Sequence, residues 1–215
     1  MTLRLYFHPL SSFSQKVLIA LYENDTPFEP RILPAGDAAA VEELKKIWPP
    51  GKFPVLQDET RDRTIPETSI IIEYLAQHYP GRSMLVPSDP DLARQTRMRD
   101  RFFDLYVNAP MQKIFTDRLR PAGMNDAYGV DQAKALLTTA YGMIDRAMET
   151  NSWVMGEEFG MADCAAAPAL NYADKLIPLA ATHRHAAAYL QRLIERASFA
   201  RVLREAEPYL KLLPK

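Results

Sequence analysis

The hydrophobic pattern of this chain changes once, near residue 80, and this change is the strongest constraint on its fold. Before that point, short apolar runs typical of strands alternate with stretches whose apolar residues follow helical spacing. After the prolines of 81–90, only the helical spacing remains. We therefore predict an α/β domain over residues 1–80, a linker over 81–90 and an all-helical domain over 91–215.

The first domain is predicted to have the element order βαβαββα. Pro9 stops the first strand, because proline fixes a backbone angle and lacks an N–H donor. The first helix begins just after Ser11-Ser12 and runs to Asn24-Asp25, a second spans Ala38–Trp48, and Thr68 is predicted to cap a third. The four predicted strands are Leu3–Phe7, Phe28–Leu33, Phe53–Gln57 and Arg63–Pro66.

Two apolar stripes with helical spacing mark the second domain. The first predicted helix ends at a break over Asn108-Ala109-Pro110, and further helices begin near Met161 and His185. Because an amphipathic helix turns its apolar stripe to the core, we expect both stripes to be buried. The first consists of Met98, Phe102, Leu105, Tyr106 and Ala109, and the second of Ala133, Leu137, Ala140, Tyr141, Ile144 and Met148.

The composition excludes several classes of protein. The 26 basic and 27 acidic residues leave a formal net charge of -1, so a nucleic-acid backbone would find no general attraction. There is no run of about 18 apolar residues, and Met1–Tyr6 lacks the features of a signal peptide. The single cysteine, Cys164, excludes an internal disulfide. We therefore expect a cytoplasmic protein without a membrane span, and no metal, since the four histidines lack ligand spacing.

Serines at the start of the first helix are the first candidates for chemistry. A helix N-terminus carries unpaired N–H groups and a partial positive charge, which favour a thiolate over a thiol. Ser11 would donate a hydrogen bond to such a sulfur, or alternatively it only caps the helix. Pro54 and Glu67-Thr68 follow at the start of a strand and of a helix, where backbone groups and a helix end suit an extended peptide. Together these residues favour a small peptide with a free thiol as the ligand.

The order of these motifs resembles that of cytosolic glutathione transferases, in particular serine-type, bacterial-like members. The resemblance covers nearly the whole chain. It implies a thioredoxin-like N-terminal domain that binds glutathione as co-substrate and an all-α C-terminal domain that binds an electrophile. The similar segments are Ser11–Leu21, Lys52–Leu56, Glu67–Leu75 and Phe159–Cys164.

The resemblance also implies a role for each residue of the glutathione site. Ser11 holds the thiolate, and the backbone of Phe53 pairs with the cysteinyl unit beside a cis Pro54. Glu67-Thr68 takes the γ-glutamyl end, and Lys52 reaches the glycyl carboxylate. The charges of these groups match those of the ligand.

Two other hydroxyl groups compete with Ser11 for activation of the thiol. Several classes of the family use a tyrosine near the position of Tyr6, and Ser12 is the neighbour of Ser11. Exchange through an enzyme cysteine is disfavoured, because Ser11 stands where redox-active relatives have cysteine. The family's capping box in the helical domain retains only Asp163, since Gly160 replaces its hydroxyl residue.

The resemblance leaves the reaction and the second substrate open. Conjugation of glutathione to a hydrophobic electrophile is the first interpretation. Glutathione-dependent isomerisation or dehalogenation on the same site, and a non-catalytic binding or regulatory protein, are the alternatives. A homodimer is implied, in which the helix after Glu67 meets the partner's Arg94 to Asp104 region. The candidate electrophile pocket consists of Phe103, Tyr106, Met111, Phe115 and Arg118.

Overall fold

The computed structural model describes residues 2–34 and 36–212. Four strands form one mixed sheet in the order β2-β1-β3-β4, with β2 parallel to β1 and the other pairs antiparallel. The predicted strands are all present, and β3 begins two residues later than predicted because Pro54 has no N–H for the ladder. The strands are β1 (Leu3–Phe7), β2 (Glu29–Ile32), β3 (Val55–Asp58) and β4 (Arg63–Pro66).

Three helices accompany the sheet, namely α1 (Ser12–Glu23), α2 (Ala38–Ile47) and α3 (Thr68–His78). The parallel β1 and β2 strands require a crossover connection, which α1 supplies. One face of the sheet packs on α2 through an apolar cluster, whose members are Tyr6, Leu33, Ala40, Leu44 and Val55. This βαβαββα arrangement is the predicted thioredoxin-like order.

The start of α3 differs from the prediction by one residue. Glu67, not Thr68, occupies the cap position, and Thr68 is the first helical residue. The φ angle of Glu67 is 68°, so the chain turns from β4 into the helix at this residue, before Thr68 is reached. The side chain of Glu67 makes no capping hydrogen bond. The prediction that Thr68 caps this helix was therefore wrong.

The second half of the chain is helical, as predicted. The proposed break at Asn108-Ala109-Pro110 is absent, because α4, a π-helical turn over Phe103–Asn108 and α5 follow one another without interruption. Pro110, which lacks an N–H, falls just after the change from the π-helical turn to α5, where the regular ladder of backbone hydrogen bonds is already altered. The helices are α4 (Pro90–Phe102), α5 (Ala109–Asp117), α6 (Ala127–Ala147), α7 (Met161–Asp174) and α8 (Arg184–Glu195).

Only one of the two predicted apolar stripes is buried. All six residues of the α6 stripe are buried, which confirms that prediction. The first stripe does not face the core: Met98 is 51% exposed, and Leu105 and Tyr106 are each 45% exposed. The buried face of that region includes polar side chains, and its members are Ala93, Thr96, Asp100, Phe103, Val107 and Met111.

Contacts divide the chain into two units. The first contains the described residues of Met1–Val86 and Ala197–Leu213, and the second contains Pro87–Arg196. Helix α9 (Ala197–Ala206) and the 3₁₀ turn over Glu207–Leu212 thus belong to the first unit, whereas our prediction grouped all of 91–215 together. Within the first unit, the buried Glu23 carboxylate accepts a hydrogen bond from Ser198 at 2.5 Å and anchors α9 to α1. None of the helices in the described part of the chain has both the length and the hydropathy that crossing a bilayer requires.

Candidate functional site

The first unit contains a cleft of about 220 Å³. Its walls come from four separate parts of the chain: the first turn of α1, the end of α2, the segment before β3 and the start of α3. Every predicted glutathione-binding residue except Ser11 is among them. The lining residues are Phe13, Trp48, Lys52, Phe53, Pro54, Glu67 and Thr68.

The segment before β3 reaches the cleft through a cis peptide bond between Phe53 and Pro54, as the resemblance implied. Pro54 is buried, whereas the side chain of Phe53 is 37% exposed. Pairing within the sheet begins only at Val55, which lies opposite Tyr6 on one side and Pro66 on the other. The backbone groups of Phe53 therefore lie just outside the ladder, where an extended ligand can pair with them.

Glu67 has an unusual backbone conformation at the edge of the cleft. Its φ of 68° lies in a region that non-glycine residues rarely adopt, at a cost of about 1–3 kcal/mol. The carboxylate is exposed, and the next residue, Thr68, is buried in the first turn of α3. A carboxylate and a helix N-terminus thus lie side by side. This arrangement suits a ligand group that carries both an ammonium and a carboxylate.

Ser11 caps helix α1. Its Oγ accepts a hydrogen bond from the N–H of Ser14 at 3.2 Å, and its backbone carbonyl accepts one from Gln15 at 2.9 Å. A hydroxyl that accepts still carries one hydrogen that it can donate, so capping the helix and donating to a sulfur are compatible roles. Ser11 is half-buried and lies two residues before Phe13, although it is not itself among the lining residues of the cleft.

The two competitors of Ser11 lie in more enclosed surroundings. Ser12 is 6% exposed, at the first position of α1. Tyr6 is 4% exposed and belongs to the apolar cluster under α2.

Sequence reasoning missed two features of the site. Trp48 lines the cleft beside Lys52, and its position follows from the way α2 packs on the sheet through Leu44 and Ala40. The ammonium of Lys16, which is 1% exposed, donates to the hydroxyl of Ser69 at 3.0 Å. Lys16 and Ser69 are far apart in the sequence, and no local pattern indicates either feature.

The five residues predicted for an electrophile pocket have different surroundings. Phe103 and Met111 are buried in the core of the second unit, and Phe115 is half-buried. Tyr106 and Arg118 are exposed. Of the five, Phe103 lines a small recess on this unit, together with Arg99, Phe102, Met143, Ile144, Ala147, Met148 and Val154.

The reduced capping box at the start of α7 is present as predicted. Asp163 accepts a hydrogen bond from the N–H of Gly160 at 2.9 Å, while Gly160 has no side chain to return one. The carboxylate also accepts from the N–H of Val154 at 2.9 Å and from the Tyr189 hydroxyl at 2.6 Å. Burial raises the pKa of Asp163 to about 6, against the effect of these hydrogen bonds. Cys164, the next residue, is fully buried.

Within the residues that the structure describes, no three His, Cys, Asp or Glu side chains converge as a metal site. The charged groups of the cleft are the exposed Lys52 and Glu67. These side chains and the nearby backbone groups offer hydrogen bonding and charge pairing to a ligand.

Comparison with known proteins identifies both halves of the chain. The family model for the glutathione S-transferase N-terminal domain matches residues 5–83, and that for the glutathione S-transferase C-terminal domain matches residues 103–197. A glutathione S-transferase from Pseudomonas putida is 28% identical over 212 residues, which cover 95% of this chain and 93% of the relative.

Two further proteins resemble this chain. FtsZ-localized protein A of Caulobacter vibrioides is 28% identical over 176 residues, which cover 79% of this chain and 76% of that protein. A crystal structure of a glutathione S-transferase from Methylobacterium radiotolerans, in complex with glutathione sulfonate, matches with a TM-score of 0.82, an identity of 26% and coverage of 94% of both chains. The predicted fold, a thioredoxin-like domain followed by helices, is thereby confirmed.

Proposed function

Because this chain belongs to the glutathione S-transferase family of enzymes, whose co-substrate is glutathione, we propose that it activates the glutathione thiol for attack on a hydrophobic electrophile. The observation that carries the proposal is the cleft, which gathers Lys52, Phe53-Pro54 and Glu67-Thr68 from distant parts of the chain. Glutathione is an extended peptide with one ammonium and two carboxylate groups. The cleft offers a complementary group for each of these features.

Each end of glutathione has a proposed partner. The carboxylate of Glu67 pairs with the γ-glutamyl ammonium, and Thr68, at the first turn of α3, holds the neighbouring carboxylate. The backbone of Phe53 pairs with the cysteinyl unit as an added strand would. Lys52, which is exposed at the rim, reaches the glycyl carboxylate. These contacts would direct the cysteinyl sulfur toward the start of α1.

Ser11 is the proposed thiol-activating residue. A free thiol titrates near ~8.5, and each pH unit by which its pKa falls requires about 1.4 kcal/mol of preference for the thiolate. A hydrogen bond from a hydroxyl to a charged sulfur contributes about 1.5–3 kcal/mol, and the N-terminus of α1 adds to it. The partial exposure of Ser11, compared with the burial of Ser12 and Tyr6, supports its choice among the three.

Substitution of Ser11 tests this role directly. We expect Ser11→Ala to lower kcat/KM for conjugation by about 10- to 100-fold, because one charge-assisted hydrogen bond is lost. The pKa of bound glutathione, read from thiolate absorbance in the ultraviolet, should rise in parallel. Ser12→Ala and Tyr6→Phe are the matched controls. A loss of turnover in either control, with Ser11→Ala unaffected, would move the role to that residue.

The similarity to FtsZ-localized protein A supports a second candidate function, a glutathione-transferase fold that binds a partner without catalysis. Retention on immobilised glutathione, followed by assays with several classes of electrophile, separates the two. Binding without turnover would favour the second candidate, and a failure to bind glutathione would exclude the proposed enzyme mechanism. Product analysis distinguishes conjugation from isomerisation, which leaves no adduct, and from dehalogenation, which releases halide.

We also propose that the chain forms a homodimer, as the family resemblance implies. Exposed apolar side chains on α3 and α4 support the proposal, since Ile70 is 54% and Met98 is 51% exposed. Introducing a charge, as in Ile70→Glu or Met98→Glu, should convert the dimer to monomers in sedimentation experiments. A monomeric wild type would exclude the dimer. A cytoplasmic location stays a prediction.

A further inference from the structure

The turn that leads into Ser11 is closed by a histidine. The N–H of Ser11 donates to the carbonyl of His8 at 3.0 Å, and Pro9 occupies the second position of this four-residue turn. The N–H of Leu10 donates to Nδ1 of the His8 ring at 3.2 Å. The imidazole thus takes the part that an Asn or Asp side chain plays in an Asx-turn, where it accepts the N–H two residues further on.

Two buried side chains of α1 hold the same turn from the other side. The amide of Gln15 donates from Nε2 to the carbonyl of Pro9 at 2.9 Å, and the N–H of His8 points to the Oγ of Ser14 at 3.4 Å. The N–H of Ser14 in turn donates to the Oγ of Ser11. Ser14 and Gln15 are 0% and 1% exposed. The hydroxyl of Ser11 therefore depends on a network in which His8 is the one group that can change its charge near neutral pH.

The surroundings of His8 keep its ring neutral. The side chain is 9% exposed, and burial lowers its pKa. Tyr209, from the 3₁₀ turn of the same unit, packs edge-on against the ring, with the centroids 5.7 Å apart. It is the titratable side chain that faces His8 from that element, while Ser14 and Gln15 of α1 are uncharged. Nδ1 can accept the Leu10 N–H only when the imidazole is neutral, which places the ring proton on Nε2.

We propose that His8 is a positioning residue for glutathione activation, whose neutral imidazole holds the Leu10 amide and thereby fixes the hydroxyl of Ser11. The inference rests on the proposed role of Ser11. Protonation of Nδ1 removes the acceptor for Leu10, and the turn before Ser11 loosens. His8 thus couples the protonation state of a buried ring to the geometry of the thiol-activating group.

Two substitutions distinguish the role of His8 Nδ1 as a hydrogen-bond acceptor from the role of the ring in filling space. His8→Leu keeps an apolar side chain without an acceptor, and we expect kcat to fall about five- to tenfold, as loss of one neutral hydrogen bond implies. His8→Asn places Oδ1 where Nδ1 was and does not titrate, so it should restore kcat to within about twofold of wild type. His185→Asn, in the second unit, is the control for histidine titration and should leave kcat unchanged.

The pH dependence of kcat/KM adds a measurement that would not change if His8 had only a structural role. At saturating glutathione, the wild type should lose kcat/KM for the electrophile more steeply in acid than His8→Asn, because both His8 and the bound thiol titrate in the former and only the thiol in the latter. Equal acid slopes for the wild type and His8→Asn would overturn the inference.

Hydrogen exchange of the Leu10 amide tests the turn without catalysis. In the protein without ligand, His8→Leu should speed this exchange about fivefold or more, and His8→Asn should keep it slow. If His8→Leu left both the Leu10 exchange rate and kcat unchanged while Ser11→Ala was inactive, the role of His8 would be overturned and that of Ser11 would stand. Full turnover in Ser11→Ala would instead refute the proposed role of Ser11, while Leu10 exchange would still report on the turn.

Discussion

The buried ammonium of Lys16 lies 3.0 Å from the hydroxyl of Ser69 and joins α1 to the first turn of α3. This hydrogen bond ties together the two helices whose N-termini border the cleft. An ammonium at the positive end of a helix adds to the potential that the helix already provides. The sign of this potential favours an anion next to Thr68, where the γ-glutamyl carboxylate is proposed to bind.

Removal of the Lys16 charge should therefore weaken glutathione binding. We expect Lys16→Met to raise KM for glutathione about tenfold, because the positive potential next to Thr68 is reduced. Ser69→Ala keeps the charge and removes this one hydrogen-bond acceptor, and it should lower the free energy of unfolding by about 1–3 kcal/mol. Urea unfolding and steady-state kinetics measure the two effects. Wild-type KM in Lys16→Met would contradict the electrostatic role.

Glu67 combines a strained backbone with a functional carboxylate, and two substitutions separate these roles. Glycine adopts a φ of 68° without strain, so Glu67→Gly should keep or raise the free energy of unfolding, by up to about 1 kcal/mol. Glu67→Gln keeps a non-glycine residue at this position and therefore keeps the backbone strain. Both remove the proposed partner of the γ-glutamyl ammonium and should raise the Kd for glutathione by about tenfold or more. Calorimetric titration and thermal unfolding check the pair, and unaltered glutathione affinity in both would exclude the carboxylate contact.

Trp48 should report glutathione binding by fluorescence, because it lines the cleft. The chain has two tryptophans, and the other, Trp153, packs on Phe159 in the second unit, with the ring centroids 5.2 Å apart. Trp153→Phe isolates Trp48, and a glutathione titration of this variant should give a saturable change in emission. Trp48→Phe should show none. A signal that persists in Trp48→Phe would place the bound peptide elsewhere.

The local sequence pattern was sufficient to predict those elements that are buried along one face only. β4 has the predicted bounds of Arg63–Pro66, and each apolar residue of the α6 stripe is buried, because every third or fourth residue of that helix meets the same core. The lining of the cleft by Lys52 and Glu67 was predicted through the order of motifs, whereas neither residue alone carries a sufficient signal.

The features that the sequence pattern did not predict depend on tertiary packing. The buried face of α4 includes Thr96 and Asp100, at 1% and 0% exposure, so hydrophobicity indicates the opposite face. The contact of His8 with Tyr209 and the hydrogen bond of Lys16 to Ser69 join residues that are distant in the chain. No periodicity encodes such pairs, and a polar side chain that serves the fold has the same sequence signature as one that lies in water.

The buried carboxylate of Asp163 should make the fold more stable in mild acid than at neutral pH. Its pKa is raised from 3.8 to about 6, chiefly by burial. A raised pKa means that the folded state binds the proton more tightly, so this stabilisation is complete below pH 3.8 and is lost as the pH rises through about 6. The difference corresponds to about 3 kcal/mol.

Asp163→Asn tests this dependence, because the amide does not titrate. Its NH2 group would face N–H donors of Val154 or Gly160, so the variant should be less stable by about 1–3 kcal/mol and should lack the loss between pH 4 and 7. Asp145→Asn is the matched control. Burial would raise the pKa of Asp145, but hydrogen bonds from the N–H groups of Ala186 and His185 lower it, so its contribution to stability is instead lost as the pH falls. Urea unfolding of the three proteins from pH 4 to 8 measures these slopes. If Asp163→Asn kept the wild-type slope, the carboxylate would be ionised throughout this range, and its hydrogen bonds from Tyr189, Val154 and Gly160 would outweigh its burial.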